Sequence, residues 1–172
     1  MITLGLDMYL SVKKYVNQND GYGENAVRRP EYDAVVKAAG LDKFTNDPSV
    51  SIYGANVSVT AAYWRKANAI HNWFVTECQN GVDECQEVYI DIEKLKELRS
   101  ICADVLLNKN DHSYCESILP TVSGFFFGGT EIDDWYFDDA EYTYKRLGEI
   151  LDMLEESMKN DEWFSVTYQS SW

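Results

Sequence analysis

The 172 residues are 45% apolar and 26% charged, which excludes a disordered tail, a collagen or a low-complexity linker and suffices for one domain, residues 1–172, with its own core. Twenty-nine acids against fifteen bases give a formal net charge of −14, so direct binding to nucleic acid or to an anionic membrane is disfavoured and a basic partner is favoured. No run approaches eighteen apolar residues and no basic segment precedes an apolar one near Met1, so neither a spanning helix nor a signal peptide is expected, and a cytoplasmic location is.

Residues 3–16 are rich in β-branched and aromatic side chains with partial alternation and predict a long opening strand. The turn formers of 17–29 predict a loop. Pro30 suits a first helical turn and Gly40 a left-handed end, so 30–39 predicts a short helix. Residues 49–60 alternate Val50, Ile52, Val57 and Val59 about Gly54 and predict a strand or a bent pair of strands. From Ala62 to Gln79 the apolar period lengthens to three and four, predicting a helix stopped by Asn80-Gly81. A short strand at 87–90 follows. Asp91 is placed to cap a helix that carries the stripe Leu95, Leu98, Cys102, Val105 and Leu106 to about Leu107. Residues 108–116 predict a polar loop, and Gly124-Phe125-Phe126-Phe127-Gly128-Gly129 a buried strand between glycines. Phe137, Ala140, Tyr144, Leu147, Leu151, Leu154 and Met158 then recur at steps of three and four, a long helix from Asp134 to Met158, before a last strand at 163–168. About five strands and four helices without a repeated βαβ period predict an α+β domain with a mainly antiparallel sheet.

Chemistry is sparsely marked. Four irregularly spaced cysteines without a Cys-x-x-Cys pair predict reduced thiols and no structural zinc, although His112-x-x-Cys115 and the seven-residue steps His71, Cys78, Cys85 come nearest to one. Two histidines and no G-x-S-x-G elbow leave no nucleophilic triad, and no glycine-rich phosphate loop occurs. Asp133, Asp134, Asp138 and Asp139, joined by Asp7, would be needed for a magnesium site, a spacing that is only suggestive. No catalytic residue, metal or cofactor is expected. One possible ligand pocket gathers Asp7, Arg65, Asn68, His71 and Asn72 with the Phe125–Gly129 strand, where the charges of Arg65 and Lys66, the amides and the flanking Trp64 and Trp73 could hold a nucleotide; the alternative is a structural Asp7–Arg65 pair and a core-edge His71.

The acids concentrate near the end of the chain, where residues 131–162 hold twelve against three bases. A solvated helix face that keeps the protein soluble is the plainer explanation. The sharper reading is a partner-binding surface of Asp133, Asp134, Trp135, Asp138, Asp139, Glu141, Glu149, Asp152, Glu155 and Glu156, with Tyr136 as a second aromatic, imitating the spaced charges of a nucleic acid strand.

Three segments, Gly5-Leu6-Asp7-Met8-Tyr9-Leu10, the run Tyr63 to Phe74 (YWRKANAIHNWF), and Gly124 to Thr130 followed by Asp134-Trp135-Tyr136, resemble a family of small proteins carried by bacteriophages and prophages. The resemblance supplies no catalytic motif. It implies an accessory protein of the infected bacterial cell that acts on a host enzyme, as anti-CRISPR and antirestriction proteins imitating DNA do. The expectation is an inhibitor that binds a nucleic-acid-processing or defence protein, such as a CRISPR effector, in its basic groove; the alternative is a small-ligand module or enzyme built on the pocket above.

Overall fold

A computed structural model of the chain describes residues 5–21, 25–44, 54–124 and 126–172. They form a mixed α+β fold with an antiparallel sheet. Among the described residues the elements are β1 (Asp7–Asn17), β2 (Asn19–Asp20), β3 (Val27–Arg28), α1 (Pro30–Ala38), a single 3₁₀ turn (Asp42–Phe44), β4 (Gly54–Arg65), α2 (Asn68–Cys78), β5 (Val88–Tyr89), α3 (Ile92–Leu107), α4 (His112–Ile118), α5 (Asp134–Lys159) and β6 (Ser165–Ser171). A four-stranded sheet has the order β4-β1-β6-β5, and β2 pairs with β3 antiparallel. By contacts the chain divides into two compact units, residues 1–12 with 60–172, and residues 13–59.

The larger unit holds the main core. Leu6 just before β1 and Met8 and Leu10 in its first half alternate inward, with Ala62 and Trp64 from the end of β4 and Val166 and Tyr168 from β6. The β5–β6 edge pairs Val88 with Tyr168 and Tyr89 with Thr167. Over this sheet α3 and α5 make the most extensive helix pair, packing Leu95, Leu98, Cys102 and Val105 with Leu147, Ile150, Leu151 and Leu154 in one cluster. The smaller unit carries α1, whose Asp33 Oδ1 accepts from both Nε and Nη2 of Arg28, and Tyr32 and Val36 are its buried side chains.

Several expectations need correction. The helix expected from Ala62 starts at Asn68, because the β-favouring Ala62 to Arg65 continue β4 and Lys66, at φ +60°, turns the chain between strand and helix. The expected loop 108–116 contains the start of α4, capped by the Asp111 carboxylate, which accepts from the Tyr114 amide at 3.0 Å. The glycine-flanked phenylalanines form no strand: Phe127 N donates to Gly124 O at 3.2 Å in a turn and Gly128 has φ +90°, while Phe125 lies outside the described residues. The loop 17–29 holds the short β2 and β3. The strand expected at 49–60 is described only from Gly54, where β4 begins. In α5 the buried stripe takes in Tyr136, Thr143 and Ile150, while Met158 is exposed.

Candidate functional sites

Two features of the larger unit carry the candidate chemistry, the outward face of α5 and a cleft at its first turn. Asp133 caps α5 by accepting from the Tyr136 amide at 3.1 Å, where a carboxylate also meets the positive helix end. From there the solvent face opposite the buried stripe carries Asp134, Asp138, Glu141, Glu149, Asp152 and Glu156 at successive positions of one three-and-four register, with Lys145 and Lys159 in the same row. At 1.5 Å per residue these acids span about 33 Å. Glu141 pairs with Lys145 and Glu149 with Arg146, exposed pairs that hold side chains in place and contribute little stability. Asp134, Asp138, Asp152 and Glu156 stand exposed.

Five of the residues expected on this surface lie off the row: Asp133 caps the helix and with Trp135 lines the cleft, and Glu155, Asp139 and Tyr136 are held elsewhere. Glu155 points off the row and pairs with Lys96 of α3 at 3.2 Å. Asp139 is half-buried and lines the cleft; burial, and then the charges of Asp138 and Asp133, push its carboxyl up to about 7. Tyr136 is no exposed aromatic but a core residue, its hydroxyl donating toward the carbonyls of Cys115 at 3.1 Å and Leu119 at 3.0 Å. Trp135, in contrast, is 79% exposed.

The cleft, of about 410 Å³, lies between the Lys66 turn, the 128–131 segment and the first turns of α5, and Arg65, Lys66, Asn68, Glu131, Trp135 and Asp139 supply most of its polar and aromatic wall. Its wall is fixed by backbone. Lys66 N donates to Leu6 O at 2.8 Å, Leu6 N to Phe126 O at 3.1 Å, and the buried Asn68 amide to Gly129 O. A β-carbon at Gly128 would lie 3.2 Å from both Cβ and O of Lys66, and its φ of +90° suits glycine alone. Gly128→Ala should therefore lower stability by about 1–2 kcal/mol in urea denaturation; an unchanged midpoint would show that the two segments separate freely.

The pocket expected from the sequence is only partly assembled. Arg65 and Asn68 line the cleft, whereas Asp7, His71 and Asn72 do not. Asp7 accepts from the Tyr63 hydroxyl, raising the Tyr63 pKa, and makes no ion pair with Arg65 among the described residues. Asn72 donates to Pro120 O at 3.0 Å. His71 is buried: its Nδ1 accepts from the Tyr168 hydroxyl at 2.7 Å, and its Nε2–H donates to Asp83 at 3.0 Å. Ser170 and Trp172 also donate to Asp83, at 3.3 and 3.0 Å, so this network ties the last strand to α2. Desolvation lowers the His71 pKa despite the Asp83 bond, keeping the ring neutral. Asp83, Tyr168 and Trp172 carry no signal in the sequence that would have joined them to His71.

No set of three His, Cys, Asp or Glu side chains among the described residues converges as a metal site; Asp133, Asp138 and Asp139 serve as cap, outer row and cleft wall. The four thiols are free, and burial pushes Cys78 up to about 11 and Cys102 up to about 12, far from a reactive thiolate. No helix among the described residues is long and apolar enough to cross a membrane. Among known proteins, no family model, no curated protein and no solved structure matches the chain.

Proposed function

We propose that the chain is a binding protein rather than an enzyme, and that the outward face of α5 docks in the basic groove of a protein that handles nucleic acid. The row Asp134, Asp138, Glu141, Glu149, Asp152 and Glu156 on one rigid helix is the observation that carries this reading. Carboxylates one turn apart stand about 5–6 Å from each other, close to the spacing of phosphates along a strand. A groove lined by Lys and Arg then gains the same steering and counterion release from the helix as from its own substrate. The class of partner is a nucleic-acid-processing or defence enzyme of a bacterial host, CRISPR effectors included, and the effect is inhibition by occupancy.

The test is capture from a bacterial extract on the immobilised chain and on its Asp138→Lys, Asp152→Lys, Glu156→Lys variant. These three side chains are exposed, so the variant keeps its fold. The wild type should retain DNA-binding proteins and the variant should lose at least about nine-tenths of them, an affinity loss of tenfold or more. Equal retention by both would refute the proposal.

A further inference from the structure

The cleft at the start of α5 is separate from that outward face, and its chemistry is different. We infer that it binds a mononucleotide, a small molecule carrying one phosphate and a planar ring, with Arg65 and Lys66 holding the phosphate and Trp135 stacking on the ring.

The cations make the first argument. Of the fifteen bases, Arg28, Arg29, Lys94, Lys96, Lys145 and Arg146 pair with acids, while Lys37, Lys43, Arg99, Lys109 and Lys159 form no ion pair among the described residues but line no part of the cleft. Arg65 and Lys66 both line the cleft and form no ion pair among the described residues. An adjacent guanidinium and ammonium on one wall, neither within ion-pair distance of a carboxylate among the described residues, are a site for a doubly charged anion.

The backbone makes the second. Lys66 sits at φ +60°, a conformation that costs a side-chain-bearing residue about 1–2 kcal/mol and that glycine or asparagine would adopt more cheaply. Two hydrogen bonds hold it there, from its own amide to Leu6 O and to its carbonyl from Asn68 N at 2.9 Å. Of the four described non-glycine residues at positive φ, Lys66, Asn80, Cys85 and Asp161, only Lys66 carries a long cationic side chain, and it lines the cleft.

The remaining walls restrict the ligand to a short one. Trp135 offers an indole 79% exposed, and a base stacked on an aromatic ring gains about 1–3 kcal/mol. Glu131, Asp133 and Asp139 also line the cleft; Glu131 and Asp139 offer acceptors for amino groups on a ring, and the three carboxylates oppose each added phosphate, which disfavours a polymer. A volume of about 410 Å³ lies within the range of small-molecule pockets.

The experiment is calorimetric titration with the four ribonucleoside monophosphates, ribose 5-phosphate and inorganic phosphate, on the wild type, Trp135→Ala and the double variant Arg65→Gln, Lys66→Asn. Asparagine is chosen because it tolerates the left-handed backbone. At least one mononucleotide should bind, about tenfold more tightly than ribose 5-phosphate or phosphate, and each variant should lose about tenfold while keeping the wild-type circular dichroism spectrum. Absence of binding by all four, equal binding of ribose 5-phosphate, or full affinity in the double variant would overturn the assignment. If the double variant does not fold, Arg65→Gln alone, on an exposed side chain, is held to a fivefold loss, and an unchanged affinity there is equally fatal.

Discussion

His71→Ala is expected to lower the unfolding free energy by about 3 kcal/mol or more, the largest loss of any single polar substitution in this chain. The substitution opens a cavity between Phe127 and Tyr168, strips the fully buried Tyr168 hydroxyl of its partner and takes one of three donors from the Asp83 carboxylate, which keeps Ser170 and Trp172. Asn72→Ala next door removes one bond to Pro120 at the surface and should cost no more than about 1 kcal/mol. The same histidine sets a pH dependence. Its native pKa is lowered by burial, so the unfolded chain takes up the proton first, at the ordinary value of about 6.5. Stability is full above that pH and falls as the pH drops below it toward the depressed native value, and His71→Ala should lose this acid limb. A stability profile identical in shape for wild type and variant would remove His71 from the account.

Asp139→Asn should act in the opposite direction, stabilising the protein by about 2–4 kcal/mol at pH 8 and by less than about 1 kcal/mol at pH 4. Asp139 has a native pKa raised to about 7 because burial and two neighbouring carboxylates oppose its ionisation. Its contribution to stability is fully present below the unfolded value near 3.8 and is lost as the pH rises through the native one. Asparagine fills the same space without the charge. Urea midpoints at the two pH values check this, and a variant no more stable at pH 8 than the wild type would mean that the carboxylate is solvated after all.

What the sequence made legible was local. The three-and-four register of α5, the Pro30 start of α1 and the Asp91 start of α3 are written in adjacent residues, and the structure has those helices where the periods end, although Asp91 holds the N-cap position without a capping hydrogen bond from its side chain. Boundaries decided by competition were misplaced: Tyr63 and Trp64 fit a helical stripe as well as a strand, and the sheet took them through pairing that no window of the chain displays. The seven-residue α4 was hidden because only its Asp111 cap distinguishes it from a polar loop. The candidate sites divide in the same way. The acidic row lies on one helix and its residues could be named from spacing, although which acids are captured, Glu155 by Lys96 and Asp139 by the cleft, depends on neighbours. The His71 network joins residues 12 and 97 positions apart and could not be assembled from the chain, whereas the expected pocket did place Arg65 and Asn68 beside Gly128 and Gly129, and missed the α5 wall of Trp135 and Asp139.

The central claim is that the outward face of α5 takes the place of a nucleic acid strand, and duplex DNA is its most direct competitor. Proteins retained on the immobilised chain should be released by added duplex DNA, and their dissociation constant should rise steeply, by at least about tenfold, between about 50 and 500 mM salt as counterion release is lost. Retention that survives both the DNA and the salt would contradict the account.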